Sequence, residues 1–339
     1  MVKIAIAGGS SELASEVLDK LVATGKHEIT ALVRKDPSQY TPRAGVRYVQ
    51  ANYLDKAELA QLLKGIHTVL SFIAAHLDPE NQAQKNLIDA SVEAGVTRFA
   101  PSEWSTGVKI ASSLDAMPWY AGKVEVAQYL ENLNKDKKVD TRIILDHLDN
   151  GTNQAKVLQY TRFQVGSFMD YLCHPYKASK YITTLPINID LAKKHAIIVE
   201  GSLDDEMTYT SADDIAHVVA RAVDYEGEWP VIGGIQGDKI TIGEVLKIGE
   251  KIRGEPFTVE WLKMEDLAAG ELKTDNYPRI DLPSIPKDQV ESFSKGAIIG
   301  VLIAMTRGVW TVSDEWNKIF PDYKFTKVEE LLKEAWKGH

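Results

Sequence analysis

One cysteine, Cys173, stands among 339 residues, which excludes an intramolecular disulfide framework and a cysteine zinc cluster and fits a reducing compartment. There is no surplus of cations either: 39 Lys and Arg face 48 Asp and Glu, for a formal net charge of −9. That balance argues against nucleic acid and against an anionic membrane surface, both of which need clustered Lys and Arg. Long apolar runs are missing. The longest lies within residues 297–305 and is broken by Gly300, far short of the ~20 residues that span a bilayer, so it reads as a buried helix. Met1-Val2-Lys3 runs straight into Ile4-Ala5-Ile6-Ala7, with no basic leader region or cleavage site. The expectation is a cytoplasmic protein whose partner is a small-molecule substrate, not nucleic acid or membrane, with the oligomeric state open.

What is present is ordinary globular composition, 44% apolar and 26% charged, in a chain long enough for one large domain or two joined ones. Residues 2–7, 29–33, 46–49, 68–73 and 96–100 read as short apolar strands. Between them, Leu13, Val17, Leu18, Leu21 and Val22 recur at helical spacing, as do Leu59, Leu62 and Leu63, and then residues 87–92. This alternation predicts an α/β fold with a parallel sheet covered on both faces. Further on, a helix is expected from near Ala121, a strand over 157–163, and a helix N-capped by Ser211 with Asp214 in its first turn. The stretch 277–286 reads as a surface loop. No internal repeat, metal-ligand spacing or Gly-x-Ser-x-Gly elbow is found.

The first strand is followed by Gly8-Gly9-Ser10-Ser11-Glu12-Leu13-Ala14. A strand, a glycine turn and a helix N-terminus make a dinucleotide-phosphate site, because the helix end offers free N–H groups and partial positive charge. The glycine fingerprint is eroded here: Gly8 is kept, while Ser11 and Ala14 occupy the other two places. Glu12 adds a negative charge that opposes phosphate unless it points away. The second strand ends in Arg34-Lys35 where NAD-binding folds usually carry an acidic residue for the ribose 2′-hydroxyl. Two cations there suit a 2′-phosphate, so NADP(H) is the expected cofactor.

The N-terminal strand and loop, Arg34-Lys35, and the run Gly95-Val96-Thr97-Arg98-Phe99-Ala100-Pro101-Ser102-Glu103-Trp104 resemble the NmrA-like and isoflavone-reductase-like proteins. These are atypical relatives of the short-chain dehydrogenases, and the chain is most similar to their fungal branch. Lys123 with Tyr129-Leu130-Glu131, Phe163-Gln164-Val165-Gly166 and Ser211-Ala212-Asp213-Asp214-Ile215-Ala216 extend the match over most of the chain. The resemblance implies a Rossmann-type doubly wound sheet with a smaller, mostly C-terminal α+β substrate lobe. On this division the core covers 1–170, with 207–225 packing back on it, and the lobe covers 171–206 and 226–339.

The resemblance also implies NADPH-dependent reduction of a small aromatic or conjugated, secondary-metabolite-type compound, with Lys123 assisting proton transfer. A lysine can do so when burial or another cation lowers its pKa toward neutrality. The Tyr-x-x-x-Lys pair of ordinary short-chain dehydrogenases is absent: Trp119 stands four residues before Lys123, and Tyr120 three. The expected cofactor-binding residues are Gly8, Gly9, Ser10, Ser11, Leu13, Arg34, Lys35, Ala74 and Lys123. His76, Tyr171 and His174 are weaker substrate-lining candidates, and Ser102 and Glu103 are expected to shape the loop after the fifth strand. Residues 139–155 read as an extra loop near the site or as an intron translated in frame, and hold no catalytic residue. Two other readings of the scaffold stand beside the reductase. One is an isomerase, cyclase or epoxide-opening enzyme without net redox chemistry; the other is an NADP-sensing regulator.

Overall fold

The computed structural model describes residues 1–135, 157–280 and 285–339. The stretch 139–155 and residues 281–284 of the expected 277–286 loop lie outside the described residues. The chain opens with β1 (Lys3–Ala7), α1 (Glu12–Ala23), β2 (Glu28–Val33), β3 (Val46–Gln50) and α2 (Lys56–Leu62). It continues through β4 (Thr68–Ser71), α3 (Gln82–Glu93), β5 (Arg98–Ala100), α4 (Ala121–Lys135) and β6 (Gln159–Tyr160). These six strands form one parallel sheet in the order β3-β2-β1-β4-β5-β6. This is the expected Rossmann-type α/β arrangement. The strand order reverses between β1 and β4, and a doubly wound sheet opens its ligand crevice at the strand ends beside such a reversal.

The central strands are apolar on both sides because helices cover both sides. Ile4 and Ile6 of β1 pack with Leu13, Val17 and Leu21 of α1. On the other face Ala5, Ala7, Leu32 and Val69 meet Leu59, Leu63, Leu87 and Ile88. α1 starts at an N-cap: Ser11 Oγ accepts from the Ala14 amide at 3.3 Å, which satisfies one of the N–H groups a helix start leaves unpaired.

The rest of the chain adds β7 (Arg162–Gln164), β8 (Ser167–Phe168), β9 (Ile189–Asp190), β10 (His195–Val199), β11 (Glu206–Thr210) and α5 (Ala212–Asp224). Then come β12 (Ile232–Gly234), β13 (Asp238–Thr241), α6 (Ile242–Arg253), β14 (Thr258–Leu262), α7 (Met264–Ala268), α8 (Val290–Thr306), α9 (Glu315–Ile319) and α10 (Val328–Ala335). These strands form small sheets, β14-β10-β9, β13-β11-β8 and β12-β7. Ser211 caps α5 as expected, its Oγ accepting from the Asp214 amide at 3.1 Å. Ile215, Val218, Val219 and Ala222 of α5 then join the apolar cluster around α1.

One expected strand is two. Thr161 N still donates to Phe99 O of β5 at 3.1 Å, but Arg162 N turns to Val231 O at 2.9 Å. The run 157–163 is uniformly β-forming, and only its tertiary partners divide it into β6 and β7. The apolar run 297–305 lies inside α8, where Gly300 is held against Ala116; a Cβ there would sit 2.1 Å from the Ala116 carbonyl oxygen. Among the described residues no helix is long and apolar enough to cross a membrane.

Candidate functional site

At the strand ends beside the β1/β4 reversal lies a cleft of about 1170 Å³. Gly8, Ser10, Ser11, Arg34, Lys35 and Ala74 line it, so six residues expected from the sequence to hold a cofactor share one cavity. Gly8 has φ +68°, and a Cβ on it would lie 2.7 Å from the Phe72 carbonyl oxygen. Both the left-handed backbone and the close approach of β4 therefore require glycine. A Cβ on Gly9 would meet the Ala31 Cβ at 2.8 Å, so Gly9 packs against β2 instead of lining the cleft. Leu13 likewise faces the core, with its side chain among those of α1 and α5.

The loop divides its backbone donors. Gly9 N donates to Leu32 O at 3.2 Å, Ser11 N to Gly8 O at 3.0 Å, and Gly8 N to Tyr53 Oη at 2.8 Å. The amides of Ser10, Glu12 and Leu13 find no partner among the described residues. These are the donors a helix N-terminus leaves for an anion. Glu12 does not oppose one: its carboxylate accepts from Thr183 N at 2.9 Å and Thr183 Oγ1 at 2.5 Å. Glu16 and Asp19, farther along α1, take Tyr181 N and Tyr181 Oη at 2.6 and 3.0 Å. The three acids thus form a stripe that grips the segment 181–183. The i, i+4, i+7 spacing of Glu12, Glu16 and Asp19 is visible in the sequence, but nothing there names its partner.

Arg34 and Lys35 are exposed at the end of β2, and among the described residues neither side chain makes an ion pair. Lys3, Lys20 and Lys26, by contrast, all pair with carboxylates. Two unpaired cations and the unpaired Ser10 amide thus share one cleft, an arrangement that attracts anions.

Lys123 is not part of the cleft lining. It sits just beyond the far wall: Asp78, Pro79 and Ala83 line that wall, and a Cβ on Gly122 would touch the neighbouring Asn81 Oδ1. Lys123 is half-buried. Nζ donates to the carbonyl of Glu103 and lies 4.6 Å from the centroid of the Tyr120 ring. Burial pulls its pKa down to about 8, against an opposing pull from the Glu103 charge. The Tyr120 hydroxyl instead pairs with Ser105 Oγ at 3.1 Å, and burial raises its pKa. Lysine and phenol therefore meet through the ring face, and Tyr120 does not reproduce the Tyr–Lys couple of ordinary short-chain dehydrogenases.

The turn between β5 and these groups is anchored at several points. Glu103 is almost fully buried, and its carboxylate accepts from Arg162 Nη2 at 2.8 Å and Gln164 Nε2 at 3.3 Å. Trp104 takes φ +41°, rare for a bulky side chain. Its indole N–H donates to Ser71 O at 2.7 Å, and its ring stacks between Phe72 and Phe163 at 4.5 and 5.0 Å. Ser102 N donates to Gln84 Oε1 at 3.0 Å. The run Pro101–Trp104 thus supports Lys123 without entering the cleft.

Tyr171 lies in the turn Met169–Cys173 with its phenol buried near Tyr120 and Glu12, which raises its pKa. His174 Nδ1 donates to the Thr184 carbonyl at 3.2 Å, next to the segment gripped by α1. His76 belongs to the turn Ala75–Leu77, and its side chain lies outside what the structure describes. Sequence reasoning missed Tyr53, which no motif marks.

The profile of the NmrA-like family matches residues 2–145. The oxidoreductase BOA1 of Botryotinia fuckeliana is 27% identical over 259 residues, 75% of this chain and 77% of that protein. A solved structure, AtPrR2 with NADP+ and (+)-pinoresinol, superposes with a TM-score of 0.68 at 18% identity over 98% of each chain. The NADPH-dependent quinone oxidoreductase QOR2 of Escherichia coli, solved with NADPH, superposes with a TM-score of 0.66 at 18% identity, over 98% of this chain and 100% of its own. Residues 2–145 thus match the NmrA-like family, and the whole chain shares the fold of the isoflavone-reductase-like structures.

Proposed function

We propose that the chain is an NADP(H)-dependent oxidoreductase that reduces a small aromatic or conjugated compound of the secondary-metabolite type. The observation that carries this is the cleft that joins the unpaired Arg34 and Lys35 to the loop at Gly8, Ser10 and Ser11, with the open amide of Ser10. Those donors match a 2′-phosphate at one end and a pyrophosphate at the other. The oxidoreductase relative and the NADP+- and NADPH-bound neighbours support the same reading.

Bound NADPH supplies a hydride. The chain's own residues do the remaining work. Gly8 lets the loop approach the pyrophosphate, and Ala74 borders the cleft beyond β4. Lys123 carries a proton on Nζ at neutral pH, since its pKa falls only to about 8. It can give that proton to a substrate oxygen as negative charge develops there. The Glu103 carbonyl fixes the Nζ position, and the buried surroundings keep bulk water from levelling its acidity. Tyr171, in the turn Met169–Cys173, is the proposed neighbour on the substrate side. The same reading takes the enzyme to be cytoplasmic.

A fluorescence titration with NADPH and NADH tests the cofactor assignment. Tight binding of NADPH is expected, and Arg34→Ser with Lys35→Ser should erase about tenfold or more of its advantage over NADH. Equal binding of both cofactors by the unaltered protein would overturn the assignment. NADPH bound tightly but never oxidised by a panel of conjugated carbonyls, quinones and aryl ethers would favour the isomerase or cyclase reading, which the missing Tyr–Lys couple also suits.

A further inference from the structure

The glycine loop lacks two of its three fingerprint glycines, yet its backbone is held in place by a phenol from outside the motif. Tyr53 lies between β3 and α2, buried, with its hydroxyl at the meeting point of β1 and β2. Its oxygen accepts the Gly8 amide at 2.8 Å and donates its proton to the Leu32 carbonyl at 3.0 Å. The same Leu32 carbonyl accepts from Gly9 N at 3.2 Å. One hydroxyl thus ties the first residue of the loop to the end of the neighbouring strand. The Tyr53 backbone is fixed in turn, because Asn86 Nδ2 of α3 donates to its carbonyl at 3.0 Å.

We propose that Tyr53 is a positioning residue for the cofactor's pyrophosphate: it draws the Gly8 amide inward and so sets the loop with Ser10 and Ser11 lining the cleft. The inference rests on the NADP(H) reading of that cleft. The physical reason lies in the erosion of the motif. Where Ser11 replaces a glycine, the loop cannot rely on glycine geometry alone to bring its backbone close to phosphate. A buried phenol that is donor and acceptor at once can hold a backbone amide in place at no cost in charge. Phenylalanine in its place would leave the Gly8 amide without a partner and the Leu32 carbonyl with the Gly9 amide alone, and the loop would shift to recover the lost bond.

The test is Tyr53→Phe, which keeps the ring and removes one oxygen. Two probes are titrated against it and the unaltered protein: NADPH by fluorescence, and adenosine 2′-monophosphate, which carries the 2′-phosphate but no pyrophosphate, by calorimetry. The expected result is NADPH binding weakened about tenfold with adenosine 2′-monophosphate binding unchanged. Hydrogen exchange at the Gly8 amide should also speed up with no ligand present. A general loosening of the fold would weaken both probes alike, and that outcome overturns the proposal, as does unchanged NADPH binding. If the unaltered protein binds neither probe, the NADP(H) reading itself fails and takes this proposal with it. Should Tyr53→Phe fold poorly, Asn86→Ala loosens the same tyrosine from behind and is expected to give the same split between the two probes at smaller amplitude; equal losses there count against the proposal.

Discussion

Glu12, the first residue of α1, turns its carboxylate away from the phosphate loop and onto Thr183, accepting the hydroxyl at 2.5 Å and the amide at 2.9 Å. A charge that reads in the sequence as an obstacle to phosphate is instead a fastening between α1 and the segment 181–183. Glu12→Ala should therefore leave NADPH affinity within about twofold of its original value, a difference of a few tenths of a kcal/mol. It should lower the melting temperature by a few degrees at most, since the contact is exposed. Calorimetric titration with NADPH checks the first point and thermal melting the second. A large gain in NADPH affinity on losing the carboxylate would show that the charge does face the cofactor.

Lys123 is expected to act in its protonated form. Burial lowers its pKa to about 8, so a step that needs its proton runs at full rate below that value and falls as pH rises through it. With a turnover assay in hand, kcat should decline on the alkaline side with an apparent pKa near 8. Lys123→Met should cost about 10²–10⁴ in kcat, the usual range for a lost general acid, and should abolish the alkaline limb. An unchanged limb in Lys123→Met would assign the titration to another group.

Asp170 offers a test of burial without catalysis. Its side chain is almost wholly inside the protein, and Oδ2 accepts from the Ala212 amide at 2.8 Å. Burial is the largest influence on its pKa and raises it. A carboxyl whose folded pKa lies above its unfolded value favours the folded state while protonated, and that advantage is lost as pH rises through the folded pKa. Asp170→Asn keeps an acceptor for Ala212 but carries no charge. The variant should melt at a higher temperature than the unaltered protein near pH 7, with the gap closing as pH falls toward about 4, the unfolded pKa. A gap independent of pH would mean that packing, not ionisation, sets the cost.

Much of this was legible because it is local. Apolar runs on β1, β2 and β4 announce strands buried on both faces, and Ser211 followed by Asp214 announces a capped helix; each depends on neighbours within a few residues. The division of 157–163 at Thr161 was not legible, because both halves favour extended backbone and only the competing partners Phe99 and Val231 separate them. Gly8, Ser10, Ser11, Arg34, Lys35 and Ala74, the residues expected to hold a cofactor, line one cleft, since each follows the end of a strand and parallel strands bring their ends to one edge. Lys123 is singled out by a resemblance alone. Its lowered pKa comes from burial, with the carbonyl of Glu103 as a partner 20 residues away and the Tyr120 ring one turn before it.

The sequence by itself determined the parallel sheet, the place of the phosphate loop and the pair of cations at the second strand's end. These follow from periodicity, from glycine's access to positive φ and from the sign of charge, all properties of short stretches. Only the tertiary structure decided where Glu12 points, which hydroxyl holds Gly8, and how far the Lys123 ammonium is withdrawn from water. Each of those depends on the direction of a side chain toward a partner remote in sequence: Thr183, Tyr53, or the carbonyl of Glu103 on its strained turn. Hydrogen bonds and desolvation act over a few ångströms of space, whatever the distance along the chain.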